Sequence, residues 1–128
     1  MPGIAAPMLD LLSDAQAAVE PLFDQPLVPM YVLRAEVVAY RDYLQREEPL
    51  NADLGMGLSV ARSSLRMLGR LGDRPDPRAH RLAQVAVRYF VCRDDGDGDL
   101  QSLFGFDDDA EVLNQVVRRL GMTDLALA

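Results

Sequence analysis

Apolar residues recur along this chain at spacings of three and four, and no stretch alternates with the period of two that marks a strand. The pattern predicts helices. The first is expected over roughly 7–23, with Met8, Leu11, Leu12, Ala15, Val19, Leu22 and Phe23 on its apolar side and Pro21 and Pro26 marking its end. Ser13-Asp14 offers a cap that would split it in two. The second is expected from Pro29, a favoured first-turn residue, to about Glu48, with Leu33, Val37, Tyr40 and Leu44 on one face and Pro49 as the stop. The third follows Asn51 or Asp53 as N-cap. Its seam is Leu54, Leu58, Ala61, Leu65 and Leu68, and Gly69 or Gly72 ends it. Asp76 and Pro77 start the fourth, which runs to about Cys92 with Leu82, Val85, Ala86, Tyr89 and Phe90 inward. The fifth begins at Asp107 or Asp108, carries Val112, Leu113, Val116, Val117 and Leu120 as its stripe, and ends at Gly121. Residues 122–128 read as a fraying tail.

These stripes predict an all-α fold: a small bundle of four or five helices with a long acidic loop between the last two. The length of 128 residues supports a single domain, here 1–121. With 49% apolar and 26% charged residues the chain has the composition of a folded domain. Aromatic residues are few, so the core rests on Leu, Val, Ala and Met. No apolar run reaches the roughly 18 residues that a membrane span needs. Residues 1–6 lack the positive charge that opens a signal peptide, and the lone Cys92 suits a reducing compartment, so a cytoplasmic protein is expected. All 13 basic residues are Arg, a bias that fits a GC-rich bacterial genome. Without Lys, and with one Cys and one His, the chain excludes a lysine Schiff base, a Walker A lysine, an intrachain disulfide and a Cys/His zinc site.

The net charge of −7 argues against binding to nucleic acid or to an anionic membrane surface. That sum hides a segregation. Residues 1–50, 51–93 and 94–128 carry net charges of −5, +5 and −7. An arginine-rich middle between acidic flanks has two readings: the charges pair within the chain, or the arginines form a site for an acidic partner. Arg62, Arg66 and Arg70 lie four apart, on one helix face, and are the candidate partner-binding residues. Their planar guanidinium forks suit carboxylates or phosphates. Arg74, Arg78 and Arg81 extend the run. His80 and Cys92 read as structural residues, since neither has a nucleophile or base at a telling spacing.

The densest candidate chemistry lies in the acidic stretch from Asp94 to Glu111. A connection of about 14 residues between two helices is long for a bundle and is expected to be functional or internally packed. Leu100, Leu103, Phe104 and Phe106 are expected to fold back on the core. Asp95, Asp97 and Asp99 alternate as in the first half of a calcium loop, and Asp108 and Asp109 lie beyond. Position six of that pattern is Leu100 where glycine is required, and position twelve is Phe106 where glutamate is required. Asp95, Asp97, Asp99, Asp108 and Asp109 are therefore candidates for a non-standard calcium or magnesium site, against the simpler reading of a solvated acidic loop. Asp107, Asp108, Ala110 and Glu111 also match a loose DDxxE pattern used by magnesium-dependent enzymes acting on diphosphates. The same acids serve equally as cap and first-turn residues of a helix.

Tyr89, Phe90, Asp95, Asp99, Gly105, Asp108 and Asp109 stand at the offsets of a family hallmark. Over about 35 residues, roughly 88–122, the chain resembles the YkvA-like domain of unknown function. Its three hallmark prolines fall on Arg93, Gly98 and Ser102. The resemblance implies a small helical domain and carries no activity with it. The resulting expectation is a small non-enzymatic interaction or accessory protein that binds a protein partner or a second copy of itself. The alternatives are a calcium- or magnesium-binding domain and a small magnesium-dependent hydrolase.

Overall fold

A computed structural model describes residues 17–47, 54–91 and 106–127. The chain is all-α. Four helices make the described bundle: α1 (Met30–Glu47), α2 (Leu54–Leu71), α3 (Pro77–Val91) and α4 (Asp107–Arg119). Two 3-10 turns, Glu20–Asp24 and Thr123–Leu125, pack on them. Helices α2 and α3 each touch all three of the other helices. Every buried stripe therefore meets at least two neighbours, and one continuous core forms.

Helix α1 buries Met30, Leu33, Val37, Tyr40 and Leu44, spaced three, four, three and four, which is the narrow seam the sequence predicts. Pro29 precedes the helix. Its carbonyl accepts from the Val32 and Leu33 N–H groups at 3.0 and 3.4 Å, so it occupies the cap position and not the first turn. Helix α3 is buried from Leu82 through Val87 without a break, because it is packed on several sides. Tyr89, expected inward, is only partly covered. Asp76 caps α3: its Oδ1 accepts from Ala79 N–H at 2.9 Å and its carbonyl accepts from His80 N–H at 2.9 Å.

The two helix ends marked by glycine are resolved by φ. Gly72 ends α2 at φ +73°, with its N–H on the Leu68 carbonyl at 3.1 Å. Gly121 follows α4 at φ +77°. There Gly121 N–H donates to Arg118 at 3.1 Å and Met122 N–H to Val117 at 2.7 Å, the paired bonds of a Schellman stop.

Three further expectations are corrected. The predicted first helix does not continue to Phe23. Residues 17–19 are helical, but Glu20–Asp24 tighten into a 3-10 turn with Pro21 at its start, where a missing N–H is tolerated. The rest of that helix lies outside the described residues. The seam of α2 is rotated. Gly57, Val60, Ala61, Ser63, Ser64, Met67 and Leu68 are buried, while Leu54, Leu58 and Leu65 stand half-covered at its edge. Gly57 accounts for the rotation, since a Cβ there would sit 2.7 Å from the Phe106 ring. The ring takes the space that a side chain would fill. Phe106 is fully buried and meets Phe90 edge-on at 6.0 Å, and Phe90 meets Tyr40 edge-on at 5.0 Å, so the aromatic chain ties α1 and α3 to the start of α4. The segment after Gly121 is the third correction. It does not fray. Leu125 is buried, and the Asn114 side chain holds the Leu127 backbone with two bonds, Nδ2 to the carbonyl at 2.9 Å and N–H to Oδ1 at 2.7 Å.

Candidate functional site

The rotation of α2 has a consequence at the edge of its buried face. Leu58 and Leu65 are half-buried, Leu65 packing on the edge of the core, and both line a groove beside α1. Arg62 and Arg66 rise from the same side of α2, about 6 Å apart along the axis. The last turns of α1 supply the other wall, Arg41 and Gln45. The result is an open groove of about 420 Å³ with an apolar floor and three guanidinium groups around it.

Of the three predicted partner-binding arginines, the structure keeps Arg62 and Arg66 together and separates Arg70. All three are exposed. Arg70 is occupied by Asp124 of the docked C-terminal segment through a two-pronged contact at 2.8 and 2.5 Å. That hydrogen bond lowers the Asp124 carboxyl below its usual range, with the fields of Arg70 and Arg66 adding to it and desolvation opposing it. The same bond raises the Arg70 guanidinium. Arg41 leans on its chain neighbour Asp42 at 3.5 Å. Among the described residues, no carboxylate lies within ion-pair distance of Arg62 or Arg66. Arg41 was the member of this cluster that sequence reasoning missed. It belongs to another helix, and nothing in local spacing connects positions 41 and 62.

A second polar cluster runs along α3, and it is internal. Gln84 is fully buried, accepts from Val28 N–H at 2.9 Å and donates to the Pro26 carbonyl at 2.9 Å. His80 Nε2 donates to the Val28 carbonyl at 2.6 Å, and Arg81 donates to the Gln25 carbonyl. Arg88 grips Glu36 with Nε and a terminal nitrogen at 2.8 and 3.0 Å and reaches Gln25 at 3.3 Å. This row clamps the extended segment 25–28 against the bundle. Within it, only Gln84 betrays its role in the sequence, as one polar residue inside the apolar run 82–87.

Of the candidate metal ligands, Asp95, Asp97 and Asp99 lie outside the described residues. Asp108 is exposed and Asp109 buried at the start of α4, on different faces of one turn. No group of three or more His, Cys, Asp or Glu side chains able to hold a metal occurs among the described residues. Asp107, Asp108 and Glu111 form an exposed acidic face on α4. Of the residues expected to fold back from the loop, Phe106 does so, and Leu100, Leu103 and Phe104 lie outside the described residues, as does Cys92. Tyr89 and Phe90 of the family hallmark stand at the end of α3, and Asp108 and Asp109 open α4. Its remaining positions lie outside the described residues.

No described helix is long and apolar enough to cross a membrane. No family model matches the chain, and no curated protein or solved structure is significantly similar to it.

Proposed function

We propose that this protein is a non-enzymatic docking module that receives an acidic helical segment of a protein partner in the groove between α1 and α2. One observation carries the reading. Arg62 and Arg66 stand over an apolar floor with no carboxylate among the described residues within ion-pair distance, while Arg34, Arg70 and Arg88 are each paired with one. A guanidinium row beside half-covered leucines suits a partner that brings both carboxylates and an apolar anchor. The capture of Asp124 by Arg70 one turn further along α2 supports the reading, as a forked arginine–carboxylate contact of the same kind. The lone Cys92 supports a cytoplasmic setting.

The test uses a synthetic helical peptide with Glu residues one turn apart and Leu between them, followed by fluorescence anisotropy. Saturable binding that the Arg62→Gln/Arg66→Gln variant weakens roughly tenfold or more supports the proposal, given that charge-assisted pairs are each worth about 1.5–3 kcal/mol. Failure to bind, or equal binding to wild type and variant, overturns it.

A further inference from the structure

We infer that the occupant of this groove is a second copy of the same chain, docked through the acidic face at the start of α4. The inference rests on the reading of the groove given above and names its partner. Asp107, Asp108 and Glu111 are exposed on one helix face. They present three carboxylates over the first five residues of α4, a length that matches the span of Arg62 and Arg66. The two surfaces are of opposite charge, and neither satisfies the other within the chain. Among the described residues, none of the three acids makes an ion pair. Gln115 Nε2, on the same helix, donates to Glu111 Oε2 at 3.2 Å.

The fold keeps the two faces apart. Phe106, immediately before α4, packs over Gly57 on the buried side of α2. Arg62 follows Gly57 by five residues, which is about 140° around the helix. Phe106, the residue before the acidic turn of α4, thus sits on a different face of α2 from the groove arginines. Complementary patches on different faces of one molecule make a head-to-tail contact, which closes into a ring or continues as a chain of copies.

The experiment is sedimentation velocity across a concentration series, with two neutralised variants of the full chain. Arg62→Gln/Arg66→Gln removes the groove charge. Asp107→Asn/Asp108→Asn/Glu111→Gln removes the acidic face and keeps capping groups at the helix start. Wild type is expected to self-associate, and each variant alone is expected to sediment as a monomer. Mixing the two restores one intact interface per pair, so a 1:1 dimer that grows no further is expected. Loss of association in the second variant is informative, because its net charge changes from −7 to −4 and lower repulsion alone would favour association.

Wild type that stays monomeric, variants that associate like wild type, or a mixture that stays monomeric each overturns the inference. If wild type is monomeric while the acidic peptide still binds the groove, the docking reading stands and the second copy is excluded as the partner. If the peptide fails as well, both readings fall.

Discussion

The polar row on α3 and the arginine row on α2 look alike in the sequence and are placed differently in the structure. Both place basic residues at helical spacing: His80, Arg81 and Arg88 on one, Arg62, Arg66 and Arg70 on the other. The α3 row is half-buried and saturated. Its donors end on the carbonyls of segment 25–28 and on Glu36. The α2 row is exposed, and two of its three arginines have no carboxylate within ion-pair distance among the described residues. Residue type and spacing therefore do not distinguish a clamp from a row left exposed. What distinguishes them is whether another segment of the same chain is laid across the row.

The largest expected effect falls on the clamp. Gln84→Leu keeps the volume but leaves the Val28 N–H and the Pro26 carbonyl without their partner, at about 1–3 kcal/mol for each group that water does not reclaim. Thermal unfolding followed by circular dichroism should show a clear drop in Tm. Unchanged Tm would mean that segment 25–28 is not held by α3. Arg88→Gln comes next. Glu36 is then left half-buried without its forked partner, a loss of about 1–3 kcal/mol, and the side chains are covered enough (24% and 29% exposed) for that loss to register. An equal Tm for Arg88→Gln and wild type would erase the distinction between the two rows.

Gly57→Ala separates core packing from helix propensity. Propensity alone predicts a gain of about 1 kcal/mol. A Cβ 2.7 Å from the enclosed Phe106 ring predicts an overpacking loss of about 1–3 kcal/mol. The loss should win, so Tm should fall, and Phe106→Leu in the same chain should recover part of it. A Tm above wild type would refute the close approach that turns Leu58 and Leu65 toward the groove.

The stripes of α1 and most of α4 were legible because each packs through a seam whose period the sequence repeats. The α2 seam was misread because a glycine carries no hydrophobic signal. By helix propensity alone Gly57 is a cost to the helix, and only the distant Phe106 makes it a contact. The docked end was missed for a related reason. Its anchors, Asn114 and Asp124, are polar residues whose partners lie 13 and 54 positions away. For the candidate site, Arg62 and Arg66 were found through local spacing, and Arg41 was not, because the groove joins two helices. Same-helix spacing is written in the sequence, whereas the neighbour across a groove follows from packing.

The pair Arg70–Asp124 stands between the two regions, an exposed contact that nonetheless holds a segment. The Asp124 carboxyl lies below the usual range in the folded chain, chiefly through its hydrogen bond from Arg70. Its contribution is therefore fully present above the ordinary carboxylate pKa and is lost as pH falls through the lowered value. Acidification should release residues 122–127 before the bundle melts. Hydrogen exchange at Leu125 and Leu127 should report it, and Asp124→Asn should remove the pH dependence. Exchange that is flat through that acidic window would show that Asn114 and Leu125 hold the segment alone.

The smallest expected effect carries the clearest sign. Arg62 and Arg66 are like charges four residues apart on an exposed face, a pairing that costs about 0.2–0.5 kcal/mol. Arg62→Gln should therefore raise stability slightly, in contrast to Arg88→Gln, and lower binding of the acidic peptide at the same time. A clamp residue that is removed weakens the fold. A docking residue that is removed relieves it, because its favourable partner lies outside the chain. Chemical denaturation of the two single variants under identical conditions, with the slope of the transition unchanged, measures both signs. A loss of stability in Arg62→Gln comparable to that in Arg88→Gln would mean that Arg62 already has its partner within the chain, and the groove would then be one more clamp.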